Sequence, residues 1–130
     1  MNVNLTSINP QITTAIADFG HSIGIDPLKW NAKGIVCLSF ENFGKLYFEP
    51  EEDTLLIYLA HNIPFLDKMK MVKAFELTNV RENHPYPVQV GLRGQTAIVF
   101  CIRLPAANCQ LHEIQMAAML LKKLHERLQS

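Results

Sequence analysis

The sequence predicts an α+β protein with its elements in the order α-β-β-β-α-β-β-α, a twisted antiparallel sheet with helices packed on it. Two observations carry this. Strand-like segments follow one another with only short polar turns between them, which favours an antiparallel meander over the alternation that builds a parallel sheet. Segments with a helical apolar period stand at both ends of the chain and once in the middle. The 130 residues suffice for one core and not two, so residues 1–130 are expected to form a single domain. No repeat or linker divides them. Residues 1–8 are expected to be a flexible N-terminus, and with no basic segment leading into an apolar stretch they do not read as a signal peptide.

The first helix begins at Asn9-Pro10, an N-cap residue followed by proline at the first helical position. Ile12, Ala15, Ile16, Phe19 and Ile23 then share one face, and Gly24 is placed to end the helix. Asp26-Pro27 opens a connector that carries Leu28 and Trp30. Three strands are expected at Ile35–Phe40, Lys45–Glu49 and Thr54–Ala60. Asn42-Phe43-Gly44 and the acidic turn after Pro50 separate them. Asn62 and Pro64 are placed to start a second helix that runs to about Val80. Asn83-His84-Pro85-Tyr86-Pro87 cannot be regular helix, because its prolines lack backbone donors. Val88–Leu92 and Thr96–Leu104 read as a hairpin around Arg93-Gly94-Gln95. A last helix is expected over Gln110–Leu128.

Composition excludes several functions. Hydrophobic residues make up 48% and charged residues 18%, a globular balance that argues against disorder. Twelve basic and twelve acidic residues give zero formal charge. A nucleic-acid partner would call for a basic excess or stripe, so none is expected. Apolar runs such as Leu55–Ala60 are too short to cross a bilayer, so no membrane insertion is expected. Three cysteines, Cys37, Cys101 and Cys109, form no metal-site spacing. They read as reduced, mostly packed thiols of a cytoplasmic protein, with Cys37 and Cys101 as inert packing residues in apolar strands.

The helices differ in a way that bears on partners. The first has one apolar arc. The last has a broad one through Ile114, Ala117, Ala118, Leu121, Leu124 and Leu128, with Gln115, Lys122, Lys123, Glu126 and Arg127 on the wet side. Both suit helices covering one sheet face. In the middle helix, apolar residues from Ile63 to Val80 point in nearly every direction. A helix apolar all round is buried all round, and one sheet covers only one side. Its second side is expected to pack on another chain, the alternative being that the last helix or the connector covers it.

Signatures of catalysis are missing. There is no phosphate-binding glycine loop, since Gly91-Leu92-Arg93-Gly94 fits a hairpin turn, and there is no nucleophile elbow. Five histidines are scattered. His112 follows Cys109 by one helical turn, but two ligands do not close a zinc site. Glu49, Glu51, Glu52 and Asp53 read as a solvated turn rather than a metal loop, because hard-metal loops space their carboxylates around glycine. No metal, cofactor or catalytic residue is expected. Trp30, the only tryptophan, suits either a core anchor or a half-exposed peptide-binding patch.

The helix followed by Gly24-Ile25-Asp26-Pro27-Leu28 and the three strands with an acidic turn before the third resemble class I type III secretion chaperones. The stretch Met71-Val72-Lys73-Ala74-Phe75-Glu76-Leu77-Thr78, the hairpin through Gly91 and Val99-Phe100 and the Leu-rich last helix are similar to a SycN-like subgroup of that family. The resemblance spans about residues 10–128. It implies a small cytoplasmic bacterial protein that uses no ATP and performs no chemistry. It implies a homodimer, or a heterodimer with a second small chaperone, joined through the middle helix and the following strand, which places Met69, Val72, Phe75, Val88 and Val90 at the interface. It implies that a secreted effector or gatekeeper polypeptide binds by its N-terminal segment in extended form, with Ile16, Leu28, Trp30 and Phe43 as contacts. Such chaperones are usually acidic. This chain is neutral, which a heterodimer with an acidic second subunit would accommodate. The expected mechanism is physical: burial of apolar client side chains at about 25 cal/mol per Å² offsets the ordering of an extended chain, and an added strand at a sheet edge supplies backbone hydrogen bonds.

Two alternatives belong to other classes. A small α+β enzyme or small-molecule-binding domain would place a His and a carboxylate in a pocket between subunits. A purely structural subunit would incorporate stably into a larger particle.

Overall fold

A computed structural model describes residues 8–130. The expectation of a flexible N-terminus therefore lies outside the described residues, except at Ile8, which packs against the core. The chain runs α1 (Pro10–Ser22), β1 (Val36–Phe40), β2 (Gly44–Glu51), β3 (Thr54–Asn62), α2 (Lys68–Leu77), β4 (Gln89–Arg93), β5 (Ala97–Pro105) and α3 (Leu111–Gln129), with short 3-10 turns at Val80–Glu82 and Ala106–Asn108. This is the α-β-β-β-α-β-β-α order read from the sequence.

The five strands form one antiparallel sheet in the order β1-β2-β3-β5-β4. Alternation along the strands sends Val36, Leu38, Leu46, Phe48, Leu55, Ile57, Leu59, Ile98, Phe100, Ile102 and Leu104 to one face, and all are buried. α1 and α3 cover that face. Phe19 of α1 meets Phe48 edge-on at 5.3 Å, and His125 of α3 meets Phe100 at 4.7 Å. Among the described residues no helix covers the opposite face. Tyr47 and Tyr58 stack on it at 4.8 Å, Arg93 lies over Tyr47, and Tyr58 donates a hydrogen bond to Glu49.

α1 starts as the sequence dictates. The Asn9 side chain accepts from the Gln11 N–H at 2.9 Å, and Gly24 at φ 81° follows the last turn. Gly20 has a packing reason. A Cβ there would lie 2.6 Å from Leu28 Cγ and 2.7 Å from the Ile25 oxygen, so its absence lets the connector fold back over α1. β2 extends past its expected end to Glu51 and takes in Pro50. That residue pairs with Leu55 of β3 but lies beyond the last β1 pair, Val36 with Phe48, so its missing N–H interrupts no inner ladder.

The middle helix is shorter than expected. Asn62 ends β3, and the Ile63 N–H donates to the Thr96 oxygen, so Asn62 and Pro64 do not start a helix. Phe65 sits at φ 59°, and Asp67 is the real N-cap, accepting from the Lys70 N–H at 2.9 Å. At the other end Asn79 caps a 3-10 turn, and α2 stops before Val80.

Cys37 also departs from its expected role. It alternates onto the uncovered face of edge strand β1 and is exposed, while Cys101 is partly and Cys109 fully buried. Burial pushes the Cys101 thiol pKa up, and that of Cys109 up to about 11.

Candidate functional site

Two apolar surfaces remain once the core is filled. The first is α2. Ala74 and Leu77 pack inward. Met69, Val72 and Phe75 follow one another every three residues and form an outward stripe, and Phe65 stands exposed just before the helix. Phe65 is 96%, Met69 81% and Phe75 61% exposed. Beside the helical residues Met69, Val72 and Phe75, the side chains of Phe75, Met71 and Ala74 line a groove of about 200 Å³ against Val90, Leu92 and Ile98. This groove borders β4, whose outer edge has no neighbour in the sheet. Three polar contacts hold α2 in this orientation. Lys70 Nζ donates to the Leu128 carbonyl at 3.3 Å, Lys73 Nζ to that of Ser130 at 2.8 Å, and His84 Nε2 to that of Leu77 at 2.7 Å. The lysines thereby meet the negative end of the α3 dipole.

Of the residues expected at a subunit interface, Met69, Val72 and Phe75 are on the exposed stripe. Val90 joins Phe75 in the groove. Val88 and Val90 are half-buried, and both pack partly on the core.

The second surface is a groove of about 400 Å³ between α1, α3 and the β1–β2 turn. Phe19, Ile23, Phe40, Phe43, Leu46, Leu59, Ala118 and Met119 line it, with Gln115 and Lys122 as the polar members among the described residues. Phe43 stacks on Phe40 at 5.5 Å, and the Lys122 ammonium lies 4.5 Å from the Phe43 ring centre. The turn that presents Phe43 depends on Gly44, which takes φ 90°. A Cβ there would fall 2.2 Å from the Ala60 oxygen.

The four residues expected to touch a client are not gathered in this groove. Phe43 lines it. Ile16 is 1% exposed and is a core residue, turned toward the sheet by the same apolar arc that suggested it, so it offers no contact surface. Leu28 is half-buried over Gly20, and Trp30 is half-buried and bridges to Val36 at the edge of β1. Sequence reasoning missed Phe19, Ile23, Phe40 and Met119 as groove residues. One signal was available: Met116 and Met119 lie off the apolar arc of α3, and they are 39% and 66% exposed.

The polar clusters do not form a reactive centre. Cys109 is buried while His112 is exposed, so the pair converges on nothing. The acidic residues disperse: Glu49 accepts from Tyr58, Glu51 faces Arg103 at 3.5 Å, and Asp53 accepts from Asn9. Among the described residues no three His, Cys, Asp or Glu side chains gather as metal ligands, and no helix is long and apolar enough to cross a membrane. One buried polar pair is unusual. His125 is 2% exposed, and its Nε2 donates to the Leu59 carbonyl at 2.8 Å. Its ring centre is 5.5 Å from that of His61, and the Nδ1 atoms of both are buried without partners. Desolvation lowers the His125 pKa to about 4, against the raising effect of the Leu59 hydrogen bond and with a smaller lowering effect from His61.

Comparison with known proteins adds to this geometry. Residues 11–129 match the family described as type III secretory system chaperone SycN. No curated protein matches by sequence. Among solved structures, the ExsC–ExsE complex contains a chain with a TM-score of 0.72 and 16% identity, covering 99% of this chain and 95% of that one. The HopA1–SchA chaperone–effector complex gives 0.69 and 14%, covering 98% and 99%. The Yersinia pestis type III secretion chaperone SycH, solved with a fragment of YscM2, gives 0.62 and 13%, covering 90% and 96%. Identities this low establish a shared fold.

Proposed function

The chain belongs to the type III secretory system chaperone SycN family, whose members are not enzymes, and on that premise we propose that it is a cytoplasmic secretion chaperone acting as one domain over residues 1–130. It holds the N-terminal segment of a secreted effector or gatekeeper in extended form, keeps that segment soluble and presents it for export. The observation that carries this reading is the separation of two apolar surfaces with no residue in common: the α2 stripe and the groove between α1 and α3. One chain can therefore assemble through the first and hold a client in the second.

Assembly, with an identical subunit or a second small chaperone, uses Met69, Val72 and Phe75, with Val88 and Val90 at the neighbouring strand. Client residues fill the groove at Phe43 and continue toward Leu28 and Trp30 along the β1 edge. Burying apolar client side chains at about 25 cal/mol per Å² offsets their ordering, and the β1 edge beyond the Trp30 bridge to Val36 can accept an added strand.

The test is affinity purification of the tagged chain from its host, followed by mass spectrometry, with two variants in parallel. Phe43→Asp is expected to lose a secreted protein but keep its subunit partner. Phe75→Asp is expected to lose the subunit partner. Recovery of the chain alone, under conditions that induce secretion, would overturn the reading.

A further inference from the structure

The groove between α1 and α3 is mostly apolar, and among the described residues that line it the one charged side chain is Lys122. Its ammonium is not committed to a strong partner. It lies 4.5 Å from the Phe43 ring centre and 3.7 Å from Glu126 Oε1, and the Lys122 and Glu126 side chains are 46% and 59% exposed. Exposed i,i+4 ion pairs and exposed cation–π contacts are both weak, so an incoming carboxylate can displace them. Any segment that fills the groove excludes water from around Lys122, which strengthens its attraction for a nearby anion. Gln115 stands two helical turns before Lys122 on the same side of α3, so a segment lying along the groove passes both.

We propose that Lys122 is the specificity residue of this groove: the segment bound there carries an Asp or Glu beside its apolar anchor, and that carboxylate pairs with the Lys122 ammonium while the anchor packs on Phe40, Phe43 and Met119. This rests on the reading of the groove as the client-binding surface. A lysine is a point charge on a flexible stem, without the bidentate fork of arginine. Either acid therefore serves, and the position of the acid relative to the anchor can vary by a residue. Glu126 competes for the same ammonium, so it moderates the selection.

The test is selection of a random displayed peptide library on the purified full chain, followed by titration of synthetic versions of the selected peptides. Wild type is expected to enrich apolar residues flanked by Asp or Glu. Lys122→Met should keep the apolar pattern and lose the acids, and Lys122→Glu should replace them with Lys or Arg. Changing Glu to Gln in a selected peptide should weaken binding to wild type about five- to tenfold, and leave binding to Lys122→Met unchanged. Glu126→Gln should tighten binding of the acidic peptides. Apolar peptides selected without acids, or a neutral Glu-to-Gln change, would overturn the role of Lys122 and leave the groove reading intact. Peptides that bind Phe43→Asp as well as wild type, or a selection that yields none, would overturn both.

Discussion

Helix α3 buries seven of its nineteen residues, and α2 buries two of ten. Their apolar content does not explain the contrast, since six residues of α2 and ten of α3 are apolar. The difference is in what lies opposite. α3 lies along the sheet and against α1, and its Ile114, Ala117, Leu121, Leu124 and Leu128 are fully buried. α2 is docked at the end of α3 and the edge of the sheet by Ala74 and Leu77, with its other apolar side turned out. Apolar residues of equal quality thus divide into a core that the chain completes for itself and an exposed surface, the one proposed above for subunit assembly.

The largest effect should separate these two classes. Leu121→Ala removes a fully buried side chain, and it is expected to cost about 2–5 kcal/mol in urea unfolding. Phe75→Ala is expected to change the stability of the dissociated subunit by less than about 1 kcal/mol, and to weaken association by about 2 kcal/mol, as truncation of an interface anchor does. Sedimentation across a concentration series reads the second quantity. If Phe75→Ala destabilises the subunit as strongly as Leu121→Ala and leaves association unchanged, the outer side of α2 is no interface.

α3 also carries a buried titratable group without full hydrogen bonding, His125. Its carbonyl partner fixes the proton of His125 on Nε2, so Nδ1 is a buried lone pair. Protonating it would put a charge between β3 and α3, where His61 and the Phe100 ring face it. The folded pKa is about 4, against the ordinary 6.5. The unfolded chain therefore takes up the proton first, and stability falls as pH drops from 6.5 to 4. The difference of 2.5 units corresponds to about 3 kcal/mol, present in full above pH 6.5 and lost by pH 4. Urea midpoints across that range measure it. His125→Gln should flatten the slope, and an unchanged slope would show that other groups set it.

The same contrast explains how much was legible in the sequence. The order of elements, the capping of α1 at Asn9 and the alternation of the strands are local properties, and they were readable from spacing alone. The outward stripe of α2 was readable too, because too many directions were apolar for one sheet to cover. Its start at Lys68 rather than near Asn62 was not, because β3 runs on through Asn62 and a tertiary hydrogen bond from Ile63 to Thr96 holds the chain out of helix there. The groove between α1 and α3 was the least legible. It is assembled from α1, the β1–β2 turn and α3, segments far apart in sequence, and only Phe43 stood out. Ile16 was misplaced for the same reason, since an apolar arc on a helix cannot say which of its residues lie under the sheet and which reach the rim.

The smallest effect tests the join between the two helices. Lys70 and Lys73 place ammonium groups on the last carbonyls of α3, where the helix dipole is negative. Replacing both with Met keeps the aliphatic stems and removes the charges. The expected loss of subunit stability is only about 1 kcal/mol. The expected loss in association is larger than a pair of distant charges would give, because the stripe of Met69, Val72 and Phe75 is presented only while α2 keeps its orientation. Lys123→Met, which touches neither helix end, is the control. Faster amide exchange confined to α2, together with weaker association, would identify these lysines as the clamp that presents the interface. Weaker association without faster exchange in α2 would assign the lysines a direct contact with the partner instead.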